Sequence, residues 1–150
     1  MDKSALVIGS DHAAYQLKEK IKKFLIENGI DNEDTGALSE SSVDYPDYAI
    51  KVASLVSAGK FNRGILLCGT GLGMSIVANR FSNVRAALCN DLFSAIMSRR
   101  HNNSNVLVMG GRVIGDVLAI EILKAWLETP FEGGRHQARI DKFNGMGRNA

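Results

Sequence analysis

The sequence predicts an α/β fold of the Rossmann-like kind: a parallel sheet of about five strands between two helical layers. Two observations carry it. Short apolar runs alternate along the chain with longer stretches whose apolar residues recur at helical spacing. The firmest runs are also continuously apolar, as strands covered on both faces are. Strand and helix in strict alternation mean parallel strands joined by crossovers.

Ala5-Leu6-Val7-Ile8 is the first strand, ending in Gly9-Ser10-Asp11-His12. Leu17, Ile21, Phe24 and Leu25, with lysines between them, then mark a helix that Asn28-Gly29 closes. A short polar strand is expected near residues 30–34. Ala49, Val52, Ala53 and Val56 repeat the helical spacing after Pro46, ending near Gly59. Ile65-Leu66-Leu67 is a second firm strand, and residues 84–88 form a third. Leu92, Ala95 and Ile96 return to helical spacing. Val106-Leu107-Val108-Met109 is a strand ending in Gly110-Gly111-Arg112, and Ile120, Leu123 and Leu127 mark a last long helix stopped by Pro130.

At 150 residues, 45% hydrophobic and 23% charged, the chain reads as one domain over residues 1–150 with a C-terminal arm from about 130. A chain of this length hides roughly 68–70% of its unfolded surface, enough for a core without staples. Its net charge of +2 lacks the concentrated basic field of a nucleic-acid or membrane binder. The longest uncharged stretch, residues 64–79, is too short and too rich in glycine to span a membrane. No apolar leader follows Met1-Asp2-Lys3-Ser4, and the two cysteines, Cys68 and Cys89, form neither a disulfide framework nor a zinc spacing. A cytoplasmic protein with no metal and no cofactor is expected.

In open parallel sheets, ligands bind beyond the carboxyl ends of the strands. There the polar residues of this sequence gather. Gly69-Thr70-Gly71-Leu72-Gly73 superficially suggests a dinucleotide fingerprint, with Asp91 about 20 residues on, but the third glycine position is Met74. Closely spaced glycines before a helix still expose backbone N–H groups to an anion. They equally suit a tight turn that binds nothing. Cys68 opens this loop, where a helix N-terminus and loop N–H groups favour a thiolate; a small buried hydrophobe is the plainer reading. Cys89 is read as that hydrophobe.

Of the histidines, His12 follows a strand end, His101 ends a helix and His136 lies in the arm. None falls within an apolar stripe. His101 suits either a helix C-terminal cation or catalysis. Arg135 and Arg139, four residues apart, put two guanidinium groups on one helical face, as a phosphate monoester or a merely solvated arm would have them.

Together these segments resemble a known family. Ser10-Asp11-His12-Ala13, Asp44-Tyr45-Pro46-Asp47-Tyr48-Ala49, Cys68-Gly69-Thr70-Gly71-Leu72-Gly73-Met74-Ser75-Ile76, His101-Asn102, Asn105-Val106-Leu107 and Phe131-Glu132-Gly133-Gly134-Arg135-His136 are similar to the type B ribose-5-phosphate isomerases, in the same order and over essentially the whole chain. That family includes galactose-6-phosphate and allose-6-phosphate isomerases. The resemblance implies that Cys68 is the base moving a proton between C1 and C2 of the open-chain sugar, and His101 the acid that opens the furanose ring. It makes Asp11, His12, Tyr45 and Asn102 substrate contacts. Gly69, Thr70, Gly71, Leu72 and Gly73 become the loop facing the enediolate, and Arg112, Arg135 and Arg139 phosphate ligands. A second branch of the family carries a glutamate base in the glycine loop; Leu72 stands there and cannot ionise, which places this chain in the cysteine branch.

The resemblance further implies a phosphorylated pentose substrate, a place in the pentose phosphate pathway, and a homodimer or dimer of dimers with shared active sites. Aldose–ketose isomerisation needs a base over C1 and C2, a proton donor for the ring, donors facing an oxyanion and a phosphate clamp. The sequence offers one of each. The alternatives are allose 6-phosphate or galactose 6-phosphate as substrate, or a phosphosugar- or nucleotide-binding module without catalysis.

Overall fold

The computed structural model describes residues 4–150. Met1, Asp2 and Lys3, part of the N-terminus read for a leader, lie outside the described residues. Five parallel strands, β1 (Leu6–Ser10), β2 (Asn32–Asp34), β3 (Arg63–Cys68), β4 (Ala86–Leu88) and β5 (Val106–Gly110), line up in the order β2-β1-β3-β5-β4. The helices are α1 (Tyr15–Glu27), α2 (Tyr45–Ser57), α3 (Leu72–Ala78), α4 (Leu92–Arg100), α5 (Asp116–Glu128) and α6 (Arg135–Ile140), with a 3₁₀ turn at His12–Ala14.

The two apolar layers follow from the alternation of side chains along the strands. Leu6, Ile8, Ile65, Leu67, Leu107 and Met109 point to one face, against Leu17, Ile21 and Leu25 of α1 and Ile122, Leu123 and Trp126 of α5. Val7, Leu66, Cys68, Val106 and Val108 point to the other, against Val52 and Val56 of α2 and Met74 and Ala78 of α3. Each fully buried aliphatic side chain contributes about 1.5–3 kcal/mol over its exposed state. That is why the central strands carry hardly a polar residue.

The edge strands depart from this pattern. β2 is the polar Asn32-Glu33-Asp34, and it holds its place through pairing with β1 and an ion pair below it. Fully buried Lys18 donates to Asp34 (2.7 Å) and to the Ala37 carbonyl (2.6 Å), and Lys22 reaches the second Asp34 oxygen at 2.7 Å. Burial pulls the Asp34 carboxyl up, yet the two ammonium groups outweigh it and hold it below the ordinary carboxylate value. β4 covers only three of the five residues, 84–88, expected as strand.

The order of the strands positions the site. From β1 the chain moves outward to β2, then crosses back to β3 on β1's other side. The carboxyl ends of β1 and β3 therefore flank a topological switch point, where a crevice opens between diverging connections.

Candidate active site

Asp11, immediately after β1, turns its carboxylate back onto the Ala13 and Ala14 N–H groups (3.0 and 3.3 Å), which fixes the 3₁₀ turn and presents His12. The Val43 N–H donates to His12 Nδ1 at 3.1 Å. A nitrogen that accepts carries no proton, so the neutral ring has its proton on Nε2. The same connection delivers Tyr45, the first residue of α2, across the mouth of the crevice.

At the end of β3, Gly71 adopts a φ of +81° as the cap of α3, and its N–H donates to Cys68 Sγ at 3.1 Å. That donor fixes where the sulfur sits at the mouth of the loop. The loop is zipped to the end of β5: the Gly111 N–H donates to the Cys68 carbonyl (2.8 Å) and the Arg112 N–H to that of Gly69 (2.9 Å). Close approaches exclude side chains here. A Cβ on Gly110 would sit 2.6 Å from the Thr70 carbonyl oxygen, and one on Gly73 would meet the Tyr45 ring at 2.5 Å. The Arg112 stem lies over Gly69. Thr70 accepts the Leu72 N–H through Oγ1 (3.2 Å), while the Leu72 side chain points largely to solvent.

These pieces line one recess of about 210 Å³: Asp11, His12, Tyr45, Cys68, Gly69, Thr70, Gly73 and Arg112, with Ala13. Gly71 and Leu72 belong to the same loop but not to that lining, and His101, Asn102, Arg135 and Arg139 lie away from it. His101 caps the C-terminus of α4, its N–H on the Met97 carbonyl (2.9 Å). The turn behind it is locked by Ser104, whose hydroxyl meets Ser98 (2.9 Å) and accepts from Trp126 Nε1 (2.7 Å). Arg99 adds bonds to Asn103 and to the Ser104 carbonyl, and its Nε donates to the carbonyl of Thr129, the C-cap of α5 (3.4 Å). Asn102 is exposed and borders a separate cleft beside Arg80, Arg85 and Phe143.

Arg135 and Arg139 are on α6, in the arm that Gly133-Gly134 leaves free to turn away from its own body. The glycines at 133 and 134 do not lead it away from the body. It folds back: the Glu132 N–H donates to the Arg100 carbonyl (3.1 Å), Ile140 is buried, and the Arg148 backbone exchanges hydrogen bonds with Arg80 and Ser82. His136, without an expected role, is buried too, its ring stacked on His101 with centroids 4.3 Å apart. The signal for it was the pair His136 and Ile140, four apart on one helical face. His101, His136, Arg135 and Arg139 thus belong to one cluster on their own chain.

Two further residues resolve simply. Asp91 is the N-cap of α4, accepting the Ser94 N–H, which leaves it a structural part in place of a ribose contact. Burial pushes the Cys89 thiol up to about 11, so it remains an inert thiol. Among the described residues, one His/Glu group could approach a metal: His101, Glu132 and His136, with ligand atoms within 4.8 Å of one another. The two rings are nearly parallel, at 13°. Their in-plane lone pairs run side by side and do not converge on a point about 2.0–2.1 Å from each nitrogen, as zinc demands. No described helix is long and apolar enough to cross a membrane.

A doubly wound sheet with a cysteine and a glycine loop at its switch point fits a small sugar-phosphate enzyme, and comparison with known proteins shows the family. Residues 6–143 match the Ribose/Galactose Isomerase family, and the chain belongs to it. It is 46% identical over 141 residues to ribose-5-phosphate isomerase B of Escherichia coli, covering 94% of this chain and 95% of that one. It is 44% identical to the D-erythrulose-4-phosphate isomerase of Pectobacterium atrosepticum, over 93% of this chain and 92% of the relative. A solved ribose 5-phosphate isomerase from Thermotoga maritima superposes with a TM-score of 0.91 at 54% identity, over 93% of this chain and 97% of that one.

Proposed function

We propose that the protein interconverts D-ribose 5-phosphate and D-ribulose 5-phosphate through an enediolate, in an active site shared between two copies of the chain. The observation that carries this reading is the Cys68 sulfur at the switch point, held by the Gly71 N–H and surrounded by Asp11, His12, Tyr45 and Arg112.

His101 gives a proton to the ring oxygen while the C1 hydroxyl gives its own to solvent, from which His101 is reprotonated, and the furanose opens to the aldehyde. The Cys68 thiolate then takes the proton from C2, and the electron pair of that bond moves through C1 onto O1. The loop 69–73 supplies N–H groups for the oxyanion. A proton passes from O2 to O1, and the Cys68 thiol returns its proton to C1, leaving a ketone at C2. No atom is gained or lost. Arg112, Arg135 and Arg139 hold the phosphate, which orients the reacting carbons from a distance.

The shared site is supported by the separation of its halves. His101, Asn102, Arg135 and Arg139 lie outside the recess that contains the base. Leu72 and Ile76 of α3, Phe93 of α4 and Val117 of α5 expose apolar side chains on helices that start at the carboxyl edge of the sheet. A second copy docked by a two-fold axis covers such a face and brings each His101 cluster to the other copy's Cys68.

The test is a coupled turnover assay on ribose 5-phosphate, allose 6-phosphate, galactose 6-phosphate and erythrulose 4-phosphate. The expected outcome is the highest kcat/KM on ribose 5-phosphate. A higher value on another sugar reassigns the substrate, and no turnover on any of them leaves a binding module.

A further inference from the structure

His136 has no part in the scheme above, yet it is among the few polar side chains buried in the protein. Its Nε2 is buried and makes no hydrogen bond. The nearest acidic oxygen, Glu132 Oε2, is 3.4 Å away, and Glu132 also faces Arg100 at 3.8 Å. A buried imidazole with an unused nitrogen is costly unless the ring does something else. What this ring does is lie flat against His101, at 4.3 Å and 13°.

We propose that His136 is a positioning residue for the isomerisation: it holds the plane of the His101 ring and keeps a second positive charge off its face. This rests on His101 being the ring-opening acid. A half-buried histidine at a helix end rotates freely about two torsions unless something packs on it. Ring opening requires one nitrogen of His101 to point at the sugar oxygen, and a small misplacement of such a group is expensive in rate.

The surrounding charges decide which ring can carry the proton. His101 faces His136 from the end of α4, Glu132 from the segment before α6, and Arg135 and Arg139 from α6 itself. Burial, then the neighbouring His101, Arg135 and Arg139, hold His136 below the ordinary imidazole value, against the pull of Glu132. A neutral ring stacked on a cation is attractive through its π face; a second cation there would repel the first. Glu132, with Oε2 3.4 Å from His136 Nε2, is the acidic group set against this cluster of rings and guanidinium groups.

Two variants and one spectrum test this. His136→Phe keeps a flat ring without a nitrogen, and His136→Ala removes the face. Turnover of ribose 5-phosphate needs ring opening, whereas exchange of the C1 proton of ribulose 5-phosphate with solvent needs only Cys68. His136→Ala should lower kcat about tenfold at unchanged KM and leave the exchange rate intact; His136→Phe should stay within about threefold of wild type in both. Equal losses in turnover and exchange, or equal losses in the two variants, would overturn the proposal. In the wild-type protein, the ring ¹⁵N shifts of His136 should still be those of a neutral imidazole at about pH 6.5, the ordinary midpoint. A ring at least half protonated there would also overturn it. The spectrum needs no substrate, so it stands even if the sugar is reassigned.

Discussion

The two halves of the proposed site are built in different ways. The Cys68 half sits on the two central strands, at positions where backbone meets backbone: Gly110 against Thr70, Arg112 N–H on Gly69, Gly71 N–H on sulfur. The His101 half stands on the end of one helix and the face of a six-residue second one, held by a ring stack, by buried Ile140 and by backbone bonds on either side of α6, Glu132 to Arg100 before it and Arg148 with Arg80 and Ser82 after it. The proposed base therefore sits in a closely packed part of the molecule, where a thiolate and an oxyanion need donors fixed in advance. The proposed acid and two arginines come from its periphery, where the proposal has an arm adapt to a sugar phosphate and to a second copy of the chain.

Perturbing the rigid half should cost the most. Cys68→Ala is expected to lower kcat by about 10³-fold or more with KM little changed, because a base acts chiefly in the transition state; steady-state kinetics on ribose 5-phosphate decide it. Removing the arginines in the peripheral half, Arg135→Ala with Arg139→Ala, should lower kcat/KM by about 10²-fold, mostly through KM, since charge-assisted phosphate contacts form in the ground state too. Gly110→Ala probes how tightly the rigid half is fitted. Its new methyl must push the Thr70 backbone, so a loss of roughly 1–3 kcal/mol, several degrees of Tm and about tenfold in kcat is expected.

The smallest effect concerns pH and belongs to the arm. His136 is held below its ordinary value when docked, so the undocked ring binds a proton more readily. Docking is accordingly strongest above the ordinary imidazole value and weakens as pH falls below it. Amide exchange in α6, corrected for intrinsic rates, should be a few-fold faster at about pH 5.5 than at about pH 7.5, and His136→Phe should remove that dependence.

The rigid half was legible in the sequence because it follows local rules. Continuous apolar runs marked β1, β3 and β5, and polar or glycine residues just past them marked Asp11, His12, the loop 69–73 and Arg112. The family resemblance added roles to residues already singled out, and Tyr45 besides. The peripheral half was less legible. Apart from it, β2 was expected near residues 30–34 and forms over Asn32–Asp34, but the Lys18–Asp34 pair that holds it is a contact across sixteen residues that no periodicity reveals. The fold-back of the arm depends on the Glu132–Arg100 bond and on burial of Ile140 and His136, and Gly133-Gly134 permits that path as readily as the outward one. His136 looked like an arm residue because its packing partner, His101, is distant in sequence.

The central claim is that each site joins one copy's Cys68 to the other copy's His101 cluster, and subunit mixing tests it most directly. Cys68→Ala protein and Arg135→Ala, Arg139→Ala protein are unfolded and refolded together, and dimer exchange is verified by mass. Random pairing makes half the dimers mixed; in each, one site inherits both lesions and the other none, so about a quarter of wild-type activity should return. His101→Asn should behave like the arginine variant, recovering activity with Cys68→Ala but not with Arg135→Ala, Arg139→Ala. If mixing either Cys68→Ala pair restores nothing beyond the separate variants, base and arm serve the same subunit's site, and the shared-site account is wrong.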